Sequence, residues 1–192
     1  MTLLILGLAL FLGVHSTRIF AEGWRTNFIA TRGPQAWKGL YTVVSLAGFA
    51  LLVWGYGQAR LDPVVLWSSP RWTRHLAALL VLLAMVLLMA TYVPGNAIKA
   101  RLHHPMVLAV KVWALAHLLA NNTLADALLF GGFLVWAALS FRAARGRDRA
   151  NGTVYPAGRA GPTVLVVVLG VVVWAVFAFW AHAKLFGVRP FG

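Results

Sequence analysis

No cysteine occurs in the 192 residues of this chain, and acidic residues are scarce, with four Asp and Glu against 17 Lys and Arg. The absence of cysteine excludes disulfides, thiolate catalysis, iron–sulfur clusters and covalent haem attachment. Any metal or haem must therefore be held by His, Met, Tyr or carboxylate side chains. The few acids are isolated from one another along the chain: Glu22, Asp62, Asp126 and Asp148.

Apolar residues make up 61% of the chain, whereas charged residues make up only 11%. Together with long apolar runs, this composition is typical of a polytopic membrane protein. The net charge of +13 is therefore interpreted as loop charge that sets topology and contacts membrane lipid. Nucleic acid is not an expected partner, because the sequence contains no basic soluble domain to bind it.

Six segments approach the roughly 20 apolar residues that a membrane span requires. The N-terminus has no basic region and no small-residue cleavage site, which favours a retained first span over a removed signal. We predict that residues 1–192 form a single all-α integral membrane domain, a transmembrane helical bundle of about six spans. The predicted spans are residues 1–20, 40–58, 75–92, 106–121, 124–141 and 163–186.

Lysine and arginine are concentrated in alternate loops, at residues 18–38, 93–105 and 142–162. The positive-inside rule predicts that these loops face the cytoplasm, so that both termini face outward. Residues 142–162 are rich in Arg, Ala and Gly and are predicted to be a disordered basic loop. The short "ANNT" linker predicts a tight helical hairpin in which Thr123 caps a helix, with Asp126 in its first turn.

Histidines inside apolar spans are functional candidates, because an imidazole in hydrocarbon is costly without a partner. His15 lies in the first predicted span and His117 in the fourth. The two axial ligands of a haem come from different helices, which makes these two the best placed metal-binding pair. On simple straight spans, His15 lies towards the cytoplasmic side and His117 beyond the midplane, unless tilt or a longer first helix removes this offset. The alternative is that each histidine hydrogen-bonds a neighbouring helix.

Other polar and aromatic residues surround this pair in the sequence. Trp113 lies four residues before His117, on the same helix face, and is expected to pack beside a bound ring. His104, Arg101 and Lys111 lie near the cytoplasmic edge, where they are expected to pair with haem propionates or anionic lipid. In the structural alternatives, His104 caps the span that begins at Pro105, and Lys111 extends to the membrane surface.

Three sequence blocks resemble the NnrU family of bacterial membrane proteins over residues 1–141. They are "LFLGVHSTRIF", "RGPQAWKGLYTVVSLAGFALLVWGYG" and "YVPGNAIKARLHHPMVLAVKVWALAHLLANNTLADALLFGGFLVWA". The C-terminal span, residues 163–186, lies outside this resemblance. The resemblance implies a bacterial inner-membrane protein, which would place both termini in the periplasm.

The NnrU family is similar to 15-cis-zeta-carotene isomerase, a membrane protein that holds haem b through histidines. By position, this likeness implies that His15 and His117 are haem ligands and that His104 is a further histidine needed in the site. The isomerase has a cysteine three residues before its later ligand, where this chain has Ala114. A thiolate-for-histidine exchange is therefore excluded here.

The family resemblance implies that the chain binds haem b and supports denitrification, through the activity or maturation of nitrite and nitric oxide reductases. A haem-dependent isomerase of a polyene or isoprenoid lipid, a hydrophobic small molecule, is the first alternative. A cofactor-free membrane scaffold is the second. A more distant likeness to isoprenylcysteine methyltransferases is disfavoured, because those enzymes carry paired glutamates that this chain lacks. Whether the chain is an enzyme stays open.

Overall fold

Helices account for most of the chain in a computed structural model, which describes residues 1–191. A short π-helical turn, Phe177–Ala181, joins the last two helices into one continuous rod. The helices are α1 (Thr2–His15), α2 (Thr17–Phe20), α3 (Glu22–Arg32), α4 (Pro34–Ala59), α5 (Trp72–Tyr92), α6 (Ala97–Leu102), α7 (Pro105–Ala120), α8 (Leu124–Ala150), α9 (Ala160–Val176) and α10 (His182–Phe186).

The prediction of an all-α transmembrane bundle is confirmed, and each predicted span falls on an apolar helix. Four helical segments are long and apolar enough to cross a membrane: α4, α5, α8 and the rod Ala160–Phe186. The remaining two, α1 and α7, are apolar but shorter, with 14 and 16 residues. At 1.5 Å per residue they extend only about 21 and 24 Å, which is less than the roughly 30 Å of hydrocarbon in a bilayer.

The apolar helices pack as a row in which each contacts its neighbours, in the order α4, α1, α8, α7, α5 and α9. Close approach of α1 and α4 depends on Gly7, Gly48 and Gly55. A β-carbon at Gly55 would overlap the backbone of Leu4. Small residues at helix contacts are expected in membranes, where van der Waals packing drives helix association.

The helix connections gather at two ends of the bundle. At one end, which we call the basic end, lie residues 16–33, 93–104 and 151–159, and the backbone N–H of Arg159 donates to the carbonyl of Gly95 at 2.8 Å. At the opposite end lie residues 60–71, 121–123 and 187–191, where the N–H of Leu66 donates to the carbonyl of Asn122 at 2.8 Å. The loops predicted to share one side of the membrane therefore lie together.

The predicted cap of α8 is confirmed. The backbone N–H of Asp126 donates to Thr123 Oγ1 at 3.2 Å, and the N–H of Thr123 donates to Asp126 Oδ2 at 3.0 Å. The hydroxyl of Tyr56, on α4, donates to the other carboxylate oxygen at 2.5 Å. These partners explain how a carboxylate with only 6% exposure is tolerated at this position.

The prediction that residues 142–162 are disordered is wrong for the first part of this segment, because α8 continues without a break to Ala150. Alanine and arginine have high helix propensities, so low hydrophobicity in this segment does not disfavour a helix. Tertiary contacts also hold these extra turns, since Arg147 Nη1 donates to the carbonyl of Arg18 at 3.0 Å. The first predicted span is shorter than expected, because α1 ends at His15 and α2 begins at Thr17.

The packing of α1 against α4 predicts a sharp difference between two glycines of one helix. We expect Gly55→Ala to lower the free energy of unfolding by about 1–3 kcal/mol, because its β-carbon has no space. Gly57 has open space around it, so Gly57→Ala should change stability by less than about 1 kcal/mol, in the stabilising direction. Thermal unfolding in detergent measures both variants, and equal melting temperatures would contradict this packing.

Candidate cofactor site

A cavity of about 570 Å³ opens at the basic end, between the α1–α4 pair and the α7–α8 pair. Its volume lies within the roughly 300–1,000 Å³ typical of small-molecule and cofactor sites. Histidine, arginine and aromatic side chains dominate its wall. The lining residues are His15, Thr17, Arg18, Ile19, Arg25, Trp37, Tyr41, His104, Val107, Trp136, Ser140, Ala144, Arg147, Asp148 and Asn151.

One face of α8 supplies the longest wall of this cavity. Trp136, Ser140, Ala144, Arg147 and Asp148 recur at spacings of three and four residues, which places them in one row along a helix. The row runs from an apolar aromatic to two charged residues at the basic end. The wall therefore changes from apolar to ionic along its length, which suits a ligand with an apolar body and a charged edge.

His15, the last residue of α1, has a fixed ring orientation. Its Nδ1–H donates to the carbonyl of Phe11 at 2.6 Å. The ring stacks on Phe11, with centroids 4.2 Å apart, and contacts Tyr41 at 5.0 Å and Trp136 at 6.1 Å. Because a carbonyl oxygen can only accept, Nδ1 carries the proton in the neutral imidazole and Nε2 keeps its lone pair.

His117, one turn before the end of α7, has the same local geometry. Its Nδ1–H donates to the carbonyl of Trp113 at 2.8 Å, which again leaves the lone pair on Nε2. The ring stacks on Phe130 with centroids 4.6 Å apart and contacts Trp113 at 5.0 Å. A metal-binding histidine usually donates the N–H of its other ring nitrogen to a carboxylate, a backbone carbonyl or water, as His15 and His117 do to carbonyls here.

The structure does not bring His15 and His117 into one cavity. Aromatic rings fill the space between them in a chain of contacts, from His15 to Phe11, then Phe133, then Trp113, then His117. The centroid distances along this chain are 4.2, 5.9, 5.7 and 5.0 Å. The predicted ligand pair is thus separated by three side chains.

The two histidines also lie at different depths. His15 contacts Trp136 of α8, whereas His117 contacts Phe130. Six residues of helix separate these positions, which corresponds to about 9 Å along the bundle. The sequence predicts such an offset, and α1 does not continue far enough to remove it, because it ends at His15.

His104 lines the cavity together with His15. It occupies the cap position of α7, as expected for a residue before Pro105, but its side chain does not cap the helix. Instead, its Nε2–H donates to the carboxylate of Asp148 at 2.7 Å. The hydroxyl of Tyr155 donates to the same oxygen at 3.1 Å. The resulting cluster joins the start of α7 to the end of α8.

A strained turn positions this cluster. His103 has a φ of +70°, which is unusual for a residue other than glycine. The N–H of His104 donates to the carbonyl of Leu102 at 2.9 Å, which closes a three-residue γ-turn. The ring of His103 stacks on Tyr155 with centroids 4.0 Å apart and also contacts Arg145. These contacts offset the roughly 1–3 kcal/mol that such a backbone conformation costs.

The model of the NnrU family ("NnrU protein") matches residues 3–190. The chain belongs to the NnrU family. No curated protein and no solved structure matches it. The family match extends beyond residue 141, where the resemblance found in the sequence ended, and so includes the C-terminal span and the basic segment that precedes it.

Three other predicted site residues of this NnrU chain lie outside the cavity. Arg101 on α6 and Lys111 on α7 are exposed and do not line it. Trp113, predicted to pack beside a bound ring, packs against His117 within the aromatic chain described above. Sequence reasoning therefore selected exposed cations rather than those that line the cavity.

The cavity residues that sequence reasoning missed include Arg18, Arg25 and Arg147. The sequence pattern assigns all three only to the basic loops that set topology. For Arg147 a signal was present, because it continues the helical spacing that begins at Trp136. For Arg18 and Arg25 the sequence holds no comparable signal, since their position depends on how α2 and α3 fold back against α4 and α8.

The Asp148 cluster makes the ionisation of Tyr155 testable. The pKa of Tyr155 is raised above its ordinary value of 10.0, first by desolvation and then by the hydrogen bond to the Asp148 carboxylate. Because the folded-state pKa is the higher one, this stabilisation is complete below pH 10 and is lost as pH rises through the folded-state value. We expect Asp148→Asn to lower the pKa of Tyr155, as measured by phenolate absorbance with Tyr155→Phe subtracted. An unchanged pKa would contradict the contact.

Proposed function

We propose that this NnrU-family protein binds haem b non-covalently in the basic-end cavity, with Nε2 of His15 as an iron ligand. One observation carries the proposal. The Nδ1–H of His15 is held by the carbonyl of Phe11, while the ring lines a cavity of cofactor size. In a neutral imidazole whose Nδ1–H is already hydrogen-bonded, the lone pair on Nε2 can bind iron without a change of tautomer or ring orientation.

The remaining walls of the cavity support a flat aromatic ligand. Trp37, Tyr41 and Trp136 provide apolar surface of the kind that buries a porphyrin. The indole Nε1 of Trp136 is buried and has no hydrogen-bond partner among residues 1–191. A buried donor without a partner calls for a physical explanation, and a ligand in the adjoining cavity would supply one.

His117 stays a predicted second ligand. Its Nε2 is as well prepared as that of His15, because its Nδ1–H is bound to the carbonyl of Trp113. Binding of both histidines to one iron would require the rings of Phe11, Phe133 and Trp113 to move out of the space between them. If His117 does not bind iron, its buried ring serves packing against Phe130.

When bound, haem b would supply a redox-active iron that can coordinate small ligands such as nitric oxide. The protein itself fixes the orientation of the His15 ring through Phe11 and excludes water with the aromatic side chains around it. Burial and the surrounding apolar shell are the means by which a protein sets the potential of such a centre.

We expect the protein purified in detergent with added haem to show a Soret band. His15→Ala should abolish or shift this band, because it removes the proposed ligand, whereas His75→Ala at the opposite end should leave it unchanged. If His117 is the second ligand, His117→Ala should change the spin state of the iron, which the absorption spectrum of the haem-loaded protein reports. A colourless wild-type protein, or a band lost only in His75→Ala, would refute the assignment.

The family membership also supports a role in denitrification, as a partner that sustains the activity or maturation of nitrite and nitric oxide reductases. This role requires a bacterial inner membrane, and by the positive-inside rule the basic end would face the cytoplasm and both termini the periplasm. The gathering of the arginine-rich connections at one end of the bundle is consistent with this orientation.

The denitrification role predicts a phenotype in a denitrifying bacterium that carries this gene. Deletion should slow anaerobic consumption of nitrite or nitric oxide, and the wild-type gene should restore it. His15→Ala should fail to restore consumption at equal protein level, whereas His75→Ala should succeed. Full restoration by His15→Ala would show that the cellular role does not depend on His15 and would contradict the link between haem binding and denitrification.

A further inference from the structure

Three arginines from three different helices line the cavity at the basic end. Arg18 comes from α2, Arg25 from α3 and Arg147 from α8. We call them the rim arginines. They lie where the cavity changes from the aromatic wall around His15 to the ionic surface of the basic end. Neither the family match nor the sequence resemblance gives these residues a role.

The acids near the rim do not balance these charges. Glu22 is shared by two of the rim arginines, at 3.0 Å from Arg25 Nη1 and 3.6 Å from Arg18 Nε. Arg25 also lies over the ring of Trp37, 5.7 Å from its centroid. One carboxylate thus serves two guanidiniums, which leaves one positive charge in excess on this side of the cavity.

Arg147 has no carboxylate partner in the part of the chain that the structure describes. Its Nη1 donates to the backbone carbonyl of Arg18 at 3.0 Å, which holds its guanidinium close to the rim without neutralising it. The neighbouring carboxylate of Asp148 is bound instead by His104 and Tyr155. The three rim arginines thus face two carboxylates, those of Glu22 and Asp148, which leaves one positive charge in excess at the rim.

An excess of positive charge at the mouth of a cavity favours a ligand that brings negative charge. Guanidinium is suited to this task, because its planar fork binds carboxylate and phosphate with two parallel hydrogen bonds. A group with an apolar body and two carboxylates at one edge satisfies both the aromatic wall and the rim.

We infer that the rim arginines bind the two propionate carboxylates of the porphyrin, an inference that rests on the proposed function. Arg25 and Arg147 line the cavity from two different helices, α3 and α8, so that each can take one carboxylate. This assignment replaces Arg101 and Lys111, which the sequence suggested for the same task and which are exposed elsewhere. The charged edge would then face the basic end and the iron would lie near His15.

The test compares two porphyrins that differ only in these carboxylates. Apo-protein in neutral detergent is titrated with haem b and with its dimethyl ester, in which both propionates are blocked. We expect the wild-type protein to bind haem b at least about tenfold more tightly than the ester, because charge-assisted hydrogen bonds are lost with the ester. Arg147→Gln and Arg25→Gln should each weaken haem b binding and leave ester binding unchanged.

Two controls make this comparison specific. Arg74→Gln removes an arginine that lines a separate cavity at the opposite end, with Arg71 and His75, and should change neither affinity. Lys111→Gln removes the cation that sequence reasoning suggested, and it should also have no effect. Should Arg147→Gln fail to fold through loss of its bond to the Arg18 carbonyl, Arg25→Gln carries the test alone.

The outcomes separate the two levels of the proposal. Binding of neither porphyrin by the wild-type protein refutes haem binding itself. Equal affinity for both porphyrins overturns the rim assignment but leaves haem binding intact. An anionic lipid phosphate is the other source of negative charge at the rim, so the titrations are repeated with added phosphatidylglycerol. If the rim variants change binding only when that lipid is present, the rim binds lipid phosphate and the propionate inference is wrong.

Discussion

The buried histidines and carboxylates of this bundle find their hydrogen-bond partners within the protein, because hydrocarbon offers none, and these bonds account for much of the geometry that bears on function. His15 and His117 each give the proton of Nδ1 to a carbonyl one turn back on the same helix. Asp126 is held by the cap of α8 and by Tyr56. The carboxylate of Asp148 accepts hydrogen bonds from His104 and Tyr155, both of which lie outside α8. In each histidine, the hydrogen bond that satisfies Nδ1 in the bundle also leaves the lone pair on Nε2. That lone pair is the one that a metal ion would need.

The position of the cavity follows from helix lengths. Helix α1 is too short to cross the hydrocarbon and ends at His15, and α7 is also short and begins directly after His104. The longer α4 and α8 continue past these two ends, which leaves space lined by their side chains and by the short connecting helices α2 and α3. Glycines that bring α1 and α4 into backbone contact fix the depth at which α1 ends. A cavity with one apolar wall and one ionic wall is the result.

In the cofactor site that we propose, this arrangement separates two tasks. The aromatic half around His15 excludes water and orients one imidazole. The rim arginines lie in the half that faces the basic end, where charge is less costly than at the bilayer centre. The cluster of His104 and Asp148 closes the same end by joining α7 to α8. The NnrU family match, which covers residues 3–190, includes all of these elements.

The sequence by itself determined the membrane class, the set of apolar helices, the cap at Thr123 and the two histidines that lie within spans. Those properties depend on composition and spacing inside one segment, so they can be read without knowing the neighbours. Only the tertiary structure decided that His15 shares a cavity with His104 and not with His117, that α8 continues to Ala150, and that arginines from three helices meet. Such proximity depends on the order, length and rotation of the packed helices, and hydropathy along the chain contains no information about these.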